Sequence, residues 1–187
     1  MVEIRRLSPD ELGPFLDFMD GPAFKGQPQW AGCCCQFYLN TPEQNADAAA
    51  KTGANRERVC DRVNAGTMQG YLAFETIDGA ERVIGWMAAN ASQNFVTLPG
   101  AEPTLARILC FVVDQDFQRR GVARSLLDFA LADLPTSGFT AVEAAPYTHE
   151  AQQAANYRGH MAMYAAAGFE PVADMGEFGT LVRRSLV

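Results

Sequence analysis

The residues best suited to chemistry lie in the stretch Gln118-Arg119-Arg120-Gly121-Val122-Ala123, with Arg124 next. An apolar run, Leu105 to Val113, precedes it, and a segment with apolar residues at helical spacing follows. A helix N-terminus carries unpaired backbone N–H groups and about half a positive charge from the aligned peptide dipoles. It therefore binds phosphate readily. Gly121 has no side chain, so an anion can approach the backbone there, and Ala123 is nearly as small. Arg119, Arg120 and Arg124 add charge that a pyrophosphate or a ribose phosphate can use. No Gly-Lys-Ser/Thr follows, so this is not a P-loop, and the further glycines of a dinucleotide fingerprint are missing.

A second unusual stretch is Trp30-Ala31-Gly32-Cys33-Cys34-Cys35-Gln36-Phe37-Tyr38. Zinc sites commonly use two separated pairs of ligands, and the two histidines, His149 and His160, are far away in sequence, so no metal is expected. A nucleophilic cysteine needs a neighbouring base, and none stands nearby in the sequence. A disulfide between adjacent cysteines would be strained. Small, soft side chains packed against aromatic ones is the reading favoured here. His149 falls in a polar stretch and reads as solvated. His160 opens a helix, where it could serve as a cap-region residue or touch a cofactor.

The elements that must position these residues follow from local signals. Ser8-Pro9-Asp10-Glu11 predicts a capped start for a first helix that runs to about Met19 and stops before Gly21-Pro22. Residues 21–45 read mainly as loop, with a short strand conceivable at 36–39. Asn55 to Asn64 reads as a helix with Val59 and Val63 on one face. Tyr71–Phe74 and Val83–Met87 flank Asp78-Gly79, a strong hairpin signal. Leu105 to Val113 suits a central strand buried on both faces. From Gly121 onward Ala123, Leu126, Leu127, Ala130, Leu131 and Leu134 form one apolar stripe, which Pro135 ends. Phe139 to Ala144 is the next strand. His160 to Ala167 is a helix with Gly168 at the left-handed cap position. Residues 169–172 and 181–184 make a closing strand pair. This order predicts an α/β fold, a mixed sheet covered by helices, in one domain over residues 1–187.

Composition agrees with a globular chain. Of 187 residues, 48% are apolar and 20% charged, enough to build a core. The net charge of −7 disfavours non-specific binding to nucleic acid or to an anionic membrane. It suits a cationic amine substrate, and it equally suits plain solubility. No apolar run reaches bilayer length, and no apolar segment follows the charged start Met1 to Leu7, so neither a membrane span nor a signal peptide is expected. Five cysteines, three of them consecutive, fit a reducing cytoplasm better than a disulfide framework.

Gln118-Arg119-Arg120-Gly121-Val122-Ala123 resembles the Gln/Arg-x-x-Gly-x-Gly/Ala signature of the Gcn5-related N-acetyltransferase family. Met161-Ala162-Met163-Tyr164-Ala165-Ala166-Ala167-Gly168-Phe169 is similar to the family's helix ending in Tyr-x-x-x-Gly-Phe. The hairpin with Gly85-Trp86 and the final Val182-Arg183-Arg184 are also similar to members of the family. The resemblance spans roughly residues 55–187 and is weakest before Pro42.

The resemblance implies an acyl-CoA N-acyltransferase fold and acetyl-CoA as cosubstrate, held between two diverging strands. It implies that Phe111, Val112 and Val113 offer backbone groups to the pantetheine and acetyl carbonyl, and that Gln118 to Ala123, with Arg124, hold the pyrophosphate. Such an amide would stabilise the developing oxyanion. Tyr164 aligns with the tyrosine that protonates the leaving thiolate, and it also reads as a core aromatic packed with Tyr157 and Met161. Many relatives carry a glutamate on the strand before the signature. Residues 105–109 hold no carboxylate here, so Glu143 on the neighbouring strand is the nearest candidate base, with an ion pair as its other reading. A Trp-x-x-Cys-x-Cys loop of this kind looks like one in acetyltransferases of unknown substrate. Trp30, Cys33, Cys35, Tyr38 and Trp86 are accordingly expected to line the acceptor pocket. The expected acceptor is the primary amine of a small molecule, with a protein amine as the alternative; the rivals are a non-catalytic CoA-binding or interaction module and a metal- or redox-sensing protein built on the triple cysteine. Neither nucleic acid nor membrane is an expected partner, and the family's frequent dimers leave a homodimer open.

Overall fold

The computed structural model describes residues 2–147 and 157–187. Seven strands form one sheet in the order β1-β2-β3-β4-β5-β7-β6. In chain order the elements are β1 (Glu3–Arg6), α1 (Leu12–Asp20), α2 (Pro42–Ala50), α3 (Ala54–Asn64), β2 (Gly70–Ile77) and β3 (Ala80–Ala91). They continue with β4 (Leu105–Val113), α4 (Val122–Asp133), β5 (Ala141–Ala144), α5 (Met161–Ala166), β6 (Glu170–Asp174) and β7 (Thr180–Ser185). Neighbouring strands are antiparallel, except that β4 and β5 run parallel. The sheet is therefore mixed, as the alternation of strand and helix predicts.

Each face buries one apolar layer. On one side α4 packs Val122, Leu126, Leu127 and Ala130 against Ile84, Met87, Ile108 and Phe111 of the sheet. On the other, α1 (Phe15, Leu16, Phe18, Met19) and α3 (Val59, Val63) pack against Leu72, Phe74, Trp86 and Leu109. Each fully buried large side chain contributes about 1.5–3 kcal/mol, so both helical layers help to hold the sheet that frames the site.

Local signals hold best where they are strongest. Leu105–Val113 is a strand throughout, and Asp78-Gly79 turns with positive φ at both residues. Gly168 is left-handed, at φ 79. Three expectations change. The Ser8 side chain makes no cap bond, and only its carbonyl accepts from the Glu11 N–H. Residues 36–39 form turns instead of a strand. The latter part of the expected loop begins α2, fixed by a capping box in which the Thr41 side chain accepts from the Gln44 N–H and the Gln44 side chain accepts from the Thr41 N–H.

Candidate functional site

The site is made by a sheet that comes apart. β4 and β5 pair from Leu105↔Ala141 to Ile108↔Ala144, where β5 ends. Cys110 to Val113 stay paired to β3 but no longer to β5. On the β3 side Ala88 pairs with Cys110 and Ala89 with Ile108, so Leu109 is the extra residue of a bulge. A bulge breaks the strict alternation of faces and re-aims side chains. Here it puts Leu109 and Cys110 on the same face, toward α1, α3 and the cysteine loop, while Ile108 and Phe111 face α4.

A cleft of about 890 Å³ fills this gap. At one end lie Gln118, Arg119, Gly121, Val122, Ala123 and Arg124. Gly121 caps α4 at φ 83, and open space surrounds the position a Cβ would take. Arg119 is also left-handed, at φ 62, which is uncommon for a residue with a side chain. The Ser125 N–H bonds to the Gly121 carbonyl, and the preceding N–H groups of Val122, Ala123 and Arg124 have no carbonyl one turn before them. These donors, two guanidinium groups and an unobstructed backbone fit a diphosphate. Arg120 is not part of this lining. Its guanidinium lies 4.9 Å from the centre of the Phe117 ring. The middle of the cleft is the free edge of β4, including Phe111, Val112 and Val113.

At the other end lie Trp30, Cys33, Cys35 and Tyr38 with Phe24, Phe95, Cys110 and Tyr157. The backbone explains how consecutive cysteines divide their duties. Cys34 and Cys35 are both left-handed, at φ 47 and 53. That turn sends Cys34 into the core, 1% exposed, while its two neighbours face the cleft. Burial pushes the Cys33 thiol up to about 11 and the Cys34 thiol to about 12. Cys35 is also raised well above the ordinary range, first by its contact with Cys110 and then by burial.

Trp86 is not at the cleft surface. It is fully buried, edge-on to Phe15 at 4.8 Å. Its indole N–H makes no well-formed hydrogen bond, yet it is near enough to Cys35 to favour that residue's thiolate. Trp86 is kept from the cleft by its packing beneath α1, in the same buried cluster as Phe15, Phe18 and Leu72.

The two expected catalytic residues are not brought to the cleft either. Tyr164 is fully buried, and its hydroxyl donates to the Arg158 carbonyl at 2.8 Å. Glu143 sits on β5 between its register partners Arg107 and Arg183. Its carboxylate accepts from Arg107 Nε at 3.3 Å and from Arg183 Nη1 at 3.5 Å. The ion-pair reading of Glu143 is thus the one the geometry matches. His160 lines the cleft, whereas His149 lies outside the described residues.

Tyr157 and Arg158 are residues that sequence reasoning left without a role in the site. Arg158 donates to the Tyr38 hydroxyl at 2.7 Å and to the Phe178 carbonyl at 3.0 Å, with its guanidinium 4.4 Å from the Tyr147 ring centre. It joins the cysteine loop to the C-terminal half of the chain. Tyr157 packs edge-on against Trp30 and Tyr147, with its hydroxyl 3.3 Å from that of Tyr147. Burial raises its phenol well above the usual range. The available signal was slight: one tyrosine and one arginine directly before Gly159. Among the described residues no group of three or more His, Cys, Asp and Glu side chains could hold a metal ion, and no helix is long and apolar enough to cross a membrane.

Comparison with known proteins agrees with this geometry. Residues 32–169 match the model of the "Acetyltransferase (GNAT) family". No curated protein sequence matches the chain. Among solved structures, PaiA N-acetyltransferase from Thermoplasma acidophilum in complex with coenzyme A is 15% identical, with a TM-score of 0.59 and 99% of both chains covered. An N-acetyltransferase from Staphylococcus aureus Mu50 is 13% identical, with a TM-score of 0.58, covering 100% of this chain and 99% of that one. The ribosomal-protein-S18-alanine N-acetyltransferase of Escherichia coli is 15% identical, with a TM-score of 0.53, covering 100% and 94%. At these identities the solved structures establish the fold. The family model spans most of the chain, and the protein belongs to the acetyltransferase (GNAT) family.

Proposed function

We propose that the chain transfers the acetyl group of acetyl-CoA to the primary amine of a small, largely apolar molecule, by direct attack with both substrates bound. One observation carries this reading. A single cleft runs from the Gly121 turn to the aromatic and thiol-lined end between Trp30 and Cys110, so donor and acceptor share one space. Acetyl-CoA supplies an acetyl group activated as a thioester.

The chain's own residues do the rest. The N–H groups at the start of α4 and the charges of Arg119 and Arg124 hold the diphosphate. The edge of β4 that β5 leaves lies beside the extended arm that follows, and its Phe111 amide becomes available to the arm when the Tyr157 carbonyl gives way. Trp30, Tyr38, Phe95 and Tyr157 receive the body of the acceptor and exclude water from the reacting carbon. Tyr157 keeps its proton at neutral pH, so it serves as a hydrogen-bond donor to the departing sulfur. Among the described residues no Asp or Glu lines the cleft. The amine is therefore read as entering neutral, with its proton leaving to water.

Calorimetric titration tests the reading. Acetyl-CoA should bind wild-type protein saturably and bind a Gly121→Glu variant at least roughly tenfold more weakly, about 1.4 kcal/mol. Release of free CoA thiol over a panel of small amines should follow for the wild type. A folded wild type that binds no acetyl-CoA overturns the reading. Binding without turnover on any amine favours a CoA-binding module.

A further inference from the structure

The Cys35 and Cys110 sulfurs are 3.3 Å apart. They come from segments 75 residues apart, the cysteine loop and the bulged part of β4, and both line the inner cleft. Each is placed there by an unusual backbone feature. Cys35 is left-handed and follows another left-handed cysteine, and Cys110 follows the extra residue of the bulge. Backbone held in a sparsely populated region at a binding cleft is a mark of function. The two sulfurs need to close by only roughly 1.3 Å to reach the disulfide length of about 2.05 Å.

We infer that Cys35 and Cys110 are a redox-active dithiol at the acceptor end of the cleft, which a hydroperoxide converts to an intramolecular disulfide that shuts the acceptor out. The chemistry balances with hydrogen peroxide as oxidant. The Cys110 thiolate attacks one peroxide oxygen, forming a sulfenic acid and releasing hydroxide, which takes up a proton to become water. The Cys35 sulfur then attacks the Cys110 sulfur, the S–S bond forms, and the sulfenic oxygen leaves as a second water. Two thiols lose two electrons and two protons, and one peroxide becomes two waters. Cys110 stands on the strand that lines the middle of the cleft, and Cys35 on the loop that would be drawn toward it, so Cys110 is taken as the attacking partner and Cys35 as the resolving one.

The bond would draw the loop toward β4 and narrow the space between Trp30 and Leu109 without touching the Gly121 turn. Acetyl-CoA binding would persist while acceptor use falls. This consequence rests on the proposed acetyl transfer, whereas the dithiol itself rests only on the geometry.

The test uses the full chain, fully reduced, then treated with a small excess of hydrogen peroxide. Free thiols should fall from five to three. Peptide mapping without reductant should yield one linked pair, the peptide holding Cys35 and that holding Cys110. Cys35→Ser and Cys110→Ser should each abolish the link, and Cys60→Ser, on α3, should keep it. A 1 Å misplacement at a reacting centre can cost on the order of 100-fold, and a loss of kcat/KM of that order is expected, restored by dithiothreitol, with calorimetric acetyl-CoA affinity retained. Linkage of any other cysteine pair, or five free thiols after treatment, overturns the dithiol. The correct link with unchanged turnover overturns its gating of the acceptor. Absence of turnover in the reduced protein counts against the acetyl-transfer reading, and the thiol map still decides the dithiol.

Discussion

The Phe111 N–H donates to the Tyr157 carbonyl oxygen at 2.5 Å. This amide belongs to the free edge of β4, beyond the point where β5 stops. It is the kind of donor that the proposed reaction needs for the acyl arm, and here the chain's own backbone occupies it. Gly159 sits just beyond, at φ 84, with Phe111 and Tyr164 ring carbons within 3.3 Å of where a Cβ would be. Acetyl-CoA must therefore displace the Tyr157 carbonyl or share the donor with it. Backbone 1H–15N spectra should show the Phe111, Arg158 and Gly159 amides shifting on acetyl-CoA addition, while those of β1 stay fixed. Gly159→Ala should cost roughly 1–2 kcal/mol from its left-handed backbone alone, and it should weaken acetyl-CoA binding by pressing on the Met163 and Phe111 side chains, both of which line the cleft. Unmoved Phe111 and Gly159 amides at saturation would mean the free edge is not where the arm binds.

Two tyrosines divide into one that is fully buried, Tyr164, and one that lines the cleft, Tyr157. Tyr164 satisfies a buried carbonyl, so Tyr164→Phe, which leaves that acceptor unpaired, should lower stability by about 1–3 kcal/mol. Its effect on kcat should be small once the fraction folded is accounted for. Tyr157→Phe removes the hydroxyl of a tyrosine that lines the cleft, and on the proposed reading its kcat should fall roughly tenfold or more, within the range of a single catalytic hydrogen bond or proton donor. Thermal unfolding and steady-state rates on both variants check the division. The opposite pattern would return the acid role to Tyr164.

The β4–α4 junction was legible because every signal there is local. An apolar run, a glycine and an amphipathic stripe are all adjacent in the chain, and the structure keeps them in that order. Cys110 was not legible. Its face depends on the Leu109 bulge, which is a matter of register against β3 and has no sequence signature of its own. Trp86 failed for the same reason, since its direction is set by partners on β2 and β4. Glu143 is more instructive. Arg107, Glu143 and Arg183 are all visible in the sequence, but only the parallel and antiparallel registers make them neighbours. The start of α2 was readable, since Thr41-Pro42 with Gln44 is a capping box, yet the Gly- and Pro-rich stretch before it dominated the reading.

Glu143 offers a prediction about stability. Its carboxylate lies between Arg107 and Arg183, and Arg107 is itself buried, donating also to the Pro99 and Gly100 carbonyls at 2.6 and 2.8 Å. Removing one partner of a buried pair leaves an uncompensated charge and costs about 3–5 kcal/mol. Glu143→Ala should show a loss of this size in urea unfolding, and Glu143→Gln, which keeps an acceptor for Arg107, a smaller one. Under conditions where Glu143→Gln is folded, its pH–rate profile should overlay that of the wild type. A missing ionisation in that profile would identify Glu143 as a base after all.

Alkaline pH should unfold the protein through its thiols before its phenols. Burial raises the Cys34 thiol from 9.0 to about 12 in the folded chain, and the same cause raises Cys33 to about 11. Between these limits the unfolded chain has lost protons that the folded chain still holds. The stabilising contribution is therefore complete below pH 9 and is lost as pH rises toward 12. Each such thiol gives a slope of about 1.4 kcal/mol per pH unit. Urea unfolding under reducing conditions at pH 8, 9 and 10 should show this decline beginning near pH 9. Cys34→Ala should flatten it by about one thiol's share, because Cys34 is the buried member of the three. An unchanged slope in that variant would place the alkaline sensitivity elsewhere, with Tyr71, Tyr157 and Tyr164 next in line, since burial raises all three.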